Sequence, residues 1–301
     1  MTKRIEPTLA VDSASPSHPS HVTAPTQFVE ANGVRFAYRR FGTGTGTPLV
    51  FLQHFRGGMD HWDPAVTGGL AANRPVILFD NTGVAGSSGQ TPDTVEAQAD
   101  DAAAFIHALG LRHVDVLGFS IGGYVAQALT LRHRELVRRL VLVGTKPRAG
   151  DDRERHPDVN NVATRNEVLS LEDFRFLFFA PSQSSQAAGE RFWERRHQRT
   201  VDVDPPTSKQ TMLAQTAAIV DWKLPHGEPF AELKTITQPT LVVNGRRDVM
   251  VPTINSYHLA QNIPGAQLIV YPDSGHASHF QYPHLFVSHV ELFLDAEVAF
   301  T

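Results

Sequence analysis

Gly118-Phe119-Ser120-Ile121-Gly122 is the segment whose residue types and spacing bear most directly on chemistry. A serine with glycine two places before and two places after it suits a tight, strained turn. It follows an apolar run at 114–117 and precedes a stretch at 121–133 that reads as a helix. This is the G-x-S-x-G nucleophile elbow in its required strand–turn–helix context. The turn lifts the hydroxyl above the sheet, and the helix aims its first amides and positive dipole end at the same place. The plainer reading is a serine in an ordinary turn. A serine hydroxyl needs a base to become a nucleophile, and the base needs an acid to orient it. Both follow in order. Asp248 lies just past the apolar run 240–243, and His276 follows the run 268–271 on the loop Pro272-Asp273-Ser274-Gly275-His276. His279 is an alternative base, and Asp273 an alternative acid on the same turn as His276. The pair His276-x-x-His279 lacks the carboxylate motif that would make it a metal site.

Positioning these groups takes a sheet with helices on it. Asn32-Gly33 between 28–31 and 34–38 is a hairpin signal. Short apolar runs at 49–52, 76–79, 114–117, 140–143, 240–243 and 268–271 read as buried strands. Helical spacing appears at 95–109, 121–133 and 283–298. The alternation predicts an α/β fold with a doubly wound, mostly parallel sheet. Residues 146–232 break it, with plausible helices at 168–179, 186–199 and 208–222. They read as a helical lid inserted into a core made of 26–145 and 233–301. Residues 1–25, with His18 and His21, read as a flexible, solvated N-terminal arm. The glycine–threonine run at 42–47 lacks the lysine of a phosphate loop and reads as a flexible connection.

Composition narrows the functional classes. The chain has 301 residues, 41% hydrophobic and 19% charged, with a net charge of −4. This balance gives no electrostatic footprint for nucleic acid or an anionic membrane. With no cysteine, disulfides, thiolate nucleophiles and thiolate metal sites are excluded. No apolar run is long enough to span a bilayer. Met1-Thr2-Lys3-Arg4 is followed by Ile5-Glu6-Pro7-Thr8 instead of an apolar stretch, so cytoplasmic residence is the expectation.

On these residues the chain resembles the α/β-hydrolases of the serine esterase, haloperoxidase and lactonase type. The resemblance covers about 28–298. It implies Ser120 as nucleophile, His276 as general base and then acid, and Asp248 as the acid that orients His276. It also implies an oxyanion hole of two backbone N–H groups. One comes from Ile121; the other comes from the loop Gln53-His54-Phe55-Arg56-Gly57-Gly58, from Phe55 or from Arg56. Relatives commonly carry His-Gly where this chain has His54-Phe55. Arg56 has two other readings, a cation near the substrate or a solvent-facing side chain. Thr82 stands where relatives often have arginine.

Aromatic residues of the insertion, Phe174, Phe178, Trp193 and Trp222, together with Trp62 outside it, are candidates to line a substrate pocket; plain packing is the competing reading for each. Arg191, Arg195, Arg196 and Arg199 read as a solvated helix face. The expectation is a serine hydrolase, without cofactor or metal, acting on a small or medium, largely apolar carboxylic ester or lactone through an acyl-enzyme. Two alternatives share the same three residues, a perhydrolase and a C–C bond hydrolase. Ser120 argues against the dehalogenases and epoxide hydrolases of this fold, which use aspartate at the elbow. A small-molecule receptor on the same fold is the alternative of another class.

Overall fold

A computed structural model describes residues 19–297. The hairpin forms as expected: β1 (Gln27–Ala31) and β2 (Val34–Phe41) pair antiparallel, closed by Asn32 and Gly33, both at positive φ. The chain continues through β3 (Leu49–Leu52), α1 (Pro64–Leu70), β4 (Val76–Phe79), α2 (Val95–Ala108), β5 (Val114–Phe119), α3 (Ile121–Arg132) and β6 (Val137–Val143). Four helices follow: α4 (Val159–Thr164), α5 (Leu171–Phe178), α6 (Gln183–Arg196) and α7 (Lys209–Trp222). Then come β7 (Thr240–Gly245), α8 (Ile254–Asn262), β8 (Gln267–Tyr271), α9 (Ser278–Gln281) and α10 (Pro283–Asp295). Among the described residues no helix is long and apolar enough to cross a membrane.

The eight strands form one sheet in the order β1-β2-β4-β3-β5-β6-β7-β8, parallel from β4 to β8. Alternation along each strand divides its side chains between two cores. Leu49 and Phe51 of β3, and Leu117 and Phe119 of β5, face the side covered by α1 and α10. Val50 and Leu52, with Val114 and Val116, face the side covered by α2 and α3. Burial on both faces is why these strands read as continuous apolar runs.

The chain leaves β3 toward β4 on one side and returns to β5 on the other. The carboxyl ends of β3 and β5 therefore lie side by side at a switch point, with Leu52 opposite Gly118. Open α/β sheets bind ligands at such a crevice. Glycine is required in the elbow there. A Cβ on Gly118 would lie 2.4 Å from the Gly122 carbonyl oxygen, and one on Gly122 would lie 2.1 Å from the Leu52 carbonyl oxygen. Gly122→Ala is therefore expected to cost about 3 kcal/mol or more. The denaturation midpoint measures this, and an unchanged midpoint would contradict the close approach.

Two expectations are corrected. The stretch from Ser20 is not a free arm. His21 is buried, its Nδ1 is 2.9 Å from Thr67 Oγ1, and Ala24 is enclosed as well. Arg199 donates to the carbonyls of His21 and Val22, which ties this stretch to the helical segment. The remainder of the arm, with His18, lies outside the described residues, as does residue 298 of the expected last helix. Of the four arginines expected on a solvated face, Arg191 is exposed, but Arg195, Arg196 and Arg199 are not part of such a face. Arg195 holds Asp63 in a two-pronged pair at 2.8 and 2.6 Å. Arg199 is buried beside Asp60, and Arg196 lies over the rings of Phe174 and Trp193. Asp63 is fully buried, while Arg195 is about a quarter exposed. Arg195→Met should cost about 2 kcal/mol, less than a fully buried pair. It should lower the melting temperature without altering the pairing of the sheet.

Candidate active site

Ser120 stands between β5 and α3 with φ 59° and ψ −122°, a strained conformation for a residue with a side chain. Its N–H is bonded to Val143 O at 2.9 Å, and its carbonyl accepts from Thr145 Oγ1 at 2.8 Å. Both peptide groups beside the serine are thus pinned to the end of β6 and the loop after it. Strain of this kind persists where surrounding bonds over-determine it, and it clusters at functional sites.

Asp248 and His276 meet. His276 Nδ1 lies 2.8 Å from Asp248 Oδ2, with both side chains buried. The other carboxylate oxygen, Oδ1, accepts from the N–H groups of Met250 and Val251 at 2.8 and 2.9 Å. One oxygen is fixed by its own turn and the other is aimed at the imidazole. The far nitrogen of His276, Nε2, is buried without a partner among the described residues. Phe119, which precedes Ser120, places its ring 4.9 Å from that of His276, and Phe178 lies 5.7 Å from it on the helical side. An apolar collar therefore surrounds the imidazole at the end of the sheet that carries Ser120.

The competing residues sit elsewhere. His279 is buried with both ring nitrogens unpartnered among the described residues, against Phe119 and Phe280. Burial, reinforced by His276 and His54, holds its pKa well below the ordinary histidine value. No carboxylate orients it. Asp273 is turned outward, accepting from Ser182 and Ser184 at 2.7 and 2.6 Å. Those hydroxyls keep its carboxyl below the usual range. No group of three or more metal-ligating side chains occurs among the described residues.

The loop after β3 separates the two candidate oxyanion donors. The Arg56 N–H is taken by Gln215 Oε1 at 2.7 Å, and the Arg56 carbonyl accepts from Thr207 Oγ1 at 2.7 Å. The guanidinium is bonded to the carbonyls of Ala163, Asn166 and Glu167. Arg56 is thus neither a substrate cation nor a solvent-facing side chain. It clamps the loop to α7 and to the chain around α4, and these bonds hold it at φ 62°. Phe55 N–H has no acceptor among the described residues. Ile121 N–H is the first amide of α3, where no intrahelical acceptor exists. Neighbouring His54 donates from Nδ1–H to Phe55 O, 2.9 Å away, and burial pushes its pKa down to about 3. It is neutral and fixes the shape of the loop.

Two cavities meet at Phe55. One, of about 270 Å³, is lined by Ser120, Phe55, Tyr124, Met250 and Val251 and by a charged group, Lys146, Asp152, Arg155 and Lys223. The other, of about 210 Å³, is lined by His54, Phe55, Phe174, Trp193 and Arg196 among others. Of the proposed pocket residues, Phe174 and Trp193 therefore line the second cavity. Phe178 packs on His276 and His54. Trp62 is core, 4.9 Å from the Phe51 ring. Trp222 is buried, stacked on Tyr124 at 5.3 Å, and its Nε1 donates to Lys146 O. Both cavities mix apolar walls with charged side chains, Glu167, Arg196 and Asp204 in the second and the lysine–aspartate group beside Ser120. The charged group went unnoticed in the sequence. Tyr124 was the one legible hint, since it follows Ser120 by one helical turn.

Residues 47–283 match the alpha/beta hydrolase fold family along their length. The chain belongs to that family. A solved alpha/beta hydrolase fold protein from Chitinophaga pinensis is 42% identical, with a TM-score of 0.86 over 92% of this chain and all of that one. The 2-hydroxymuconate semialdehyde hydrolase of Pseudomonas putida is 30% identical over 83% of this chain and 88% of its own length. A solved N-acyl homoserine lactone degrading enzyme is 27% identical, with a TM-score of 0.69 over 88% of this chain and 99% of that one. This α/β-hydrolase is accordingly a hydrolase.

Proposed function

We propose that this α/β-hydrolase is a serine hydrolase of carboxylic esters or lactones. The observation that carries the reading is the buried His276–Asp248 hydrogen bond, set at the end of the sheet where Ser120 is held in its strained turn. In this reading Ser120 Oγ attacks the carbonyl carbon while His276 Nε2 takes its proton. Asp248 keeps the Nδ1 proton in place and stabilises the imidazolium that forms. The N–H groups of Ile121 and Phe55 hold the developing oxyanion. His276 returns its proton to the departing alcohol, and a water repeats the sequence to free the acid. The apolar collar of Phe119 and Phe178 excludes water from the imidazole and strengthens its bond to Asp248.

A fluorophosphonate probe tests this directly. It should add one phosphonyl group to the peptide that carries Ser120, and the adduct should be absent from Ser120→Ala. Labelling at another residue, or none, would remove the serine from the mechanism. A second reading is supported by the likeness to the 2-hydroxymuconate semialdehyde hydrolase: cleavage of a C–C bond by the same three residues. A comparison of turnover on para-nitrophenyl esters with turnover on a vinylogous β-diketone acid separates the two. Saturable binding of such compounds without turnover would favour a receptor instead.

A further inference from the structure

The cavity beside Ser120 carries more positive charge than its protein partners neutralise. Three cations line it, Lys146, Arg155 and Lys223, against one carboxylate, Asp152. Lys146 Nζ is 2.6 Å and Lys223 Nζ 3.1 Å from that same carboxylate. Nearby acids are committed elsewhere: Asp248 to His276, Asp151 to Arg153, and Asp221 toward Arg148. Arg155 spends Nε on Met250 O and one Nη on Asn160 Oδ1. Its remaining Nη has no partner among the described residues.

The placement of these charges is graded. Lys146 is almost wholly buried, whereas the Lys223 side chain is 38% exposed. Burial of the Lys146 ammonium weighs against its charge and draws its pKa downward, with Asp152 acting to restore it. The buried Lys146 is neutralised by Asp152, and the surplus charge sits on the part-exposed Lys223 and Arg155, where an incoming anion would complete it. The other walls are apolar in part, with Val159, Ile219 and Met250. Such a lining suits a short aliphatic chain ending in a negative group.

We propose that this cavity selects substrates bearing a carboxylate remote from the bond that is cleaved, with Lys223 and Arg155 as its contacts and Asp152 holding the two lysines in place. Rather than a simple aliphatic ester, the substrate is a half-ester of a dicarboxylic acid or a lactone with a carboxylate side arm. The cavity's volume of about 270 Å³ favours the small carboxylate, because the acyl chain must share the space. This assignment rests on the serine-hydrolase reading for the chemistry, but the binding of the anion does not depend on it.

The test compares the para-nitrophenyl half-ester of glutaric acid with para-nitrophenyl pentanoate, its neutral near-isostere. The ratio of kcat/KM for the two is measured in the wild type, in Lys223→Gln and in Lys223→Arg. The ratio should favour the half-ester in the wild type and fall about tenfold in Lys223→Gln, as expected for the loss of one charge-assisted contact. The loss should appear mainly in KM, and Lys223→Arg should recover most of it. A ratio that stays the same across the three proteins would overturn the proposal and leave the lysines as a structural ion-pair network. Glutarate binding is measured in parallel by calorimetry. Saturable binding in the wild type that weakens in Lys223→Gln, with neither ester cleaved, would uphold the anion site and reject ester hydrolysis. No binding together with an unaltered ratio would reject the anion site alone.

Discussion

Ser120→Ala should lower kcat by about six orders of magnitude, as loss of the nucleophile does in other serine hydrolases. What remains should come from the backbone donors and from substrate positioning, about 10³-fold over water. The substitution removes no hydrogen bond that the serine side chain makes among the described residues. The bonds that hold the turn run from the serine's backbone, to Val143 O and from Thr145 Oγ1. The melting temperature should therefore move by less than about 2 °C. Steady-state turnover on a reactive ester, alongside a thermal melt, reads both quantities. Turnover within tenfold of the wild type would mean that another group attacks the substrate.

A loss of about 10⁴ in kcat is expected for Asp248→Asn, with the fold intact, by analogy with the same change in other triads. The reason lies in how the two oxygens are used. Oδ1 takes two N–H bonds from Met250 and Val251, so an asparagine will set its carbonyl oxygen there. Its amide NH₂ then faces His276 Nδ1, where the carboxylate oxygen stood. A donor in that position demands a lone pair on Nδ1 and sends the imidazole proton to Nε2. The nitrogen meant to accept the serine proton is then already protonated. Asp273→Asn provides the control. That carboxylate is outside the site, bonded to Ser182 and Ser184, and its loss should change kcat less than twofold. If the two substitutions had equal effects, the assignment of the orienting acid to Asp248 would fail.

The parts of this molecule that were legible in the sequence are those where chemistry and backbone geometry coincide. Gly118 and Gly122 stand where a Cβ would strike the neighbouring backbone, so the elbow's steric demand appears directly as residue type. Strands β3, β4, β5 and β7 were legible because burial on both faces removes most polar residues from them. Asp248 and His276 could be placed because each follows a strand end by a few residues. The helices α1, α4 and α8 were not foreseen. They are short, or they alternate apolar and polar residues weakly, and tertiary contacts decide their conformation.

The roles of the charged side chains were the least legible. Arg56, Arg195 and Arg199 each look like ordinary surface arginines in the sequence. Their partners are Gln215 and three carbonyls, Asp63, and the carbonyls of His21 and Val22, all more than a hundred residues away. Lys223 likewise joins Lys146 and Asp152, themselves six residues apart, only once α7 is in place. Nothing in local spacing encodes a pairing over such separations. The choice between Phe55 and Arg56 as second oxyanion donor was open for the same reason, since it turns on the engagement of one N–H by Gln215.

The clamp at Arg56 has a consequence for timing. Its guanidinium grips the chain at Ala163, Asn166 and Glu167, while its backbone adjoins the Phe55 amide. α7 and the chain around α4 are therefore tied to the peptide next to the one that carries the Phe55 amide. If these helices moved off the sheet, the donor assigned above to the oxyanion would be displaced with them. In the proposed mechanism, carbonyl attack would then require these helices to be seated, which would couple substrate entry and product departure to the state of the oxyanion hole.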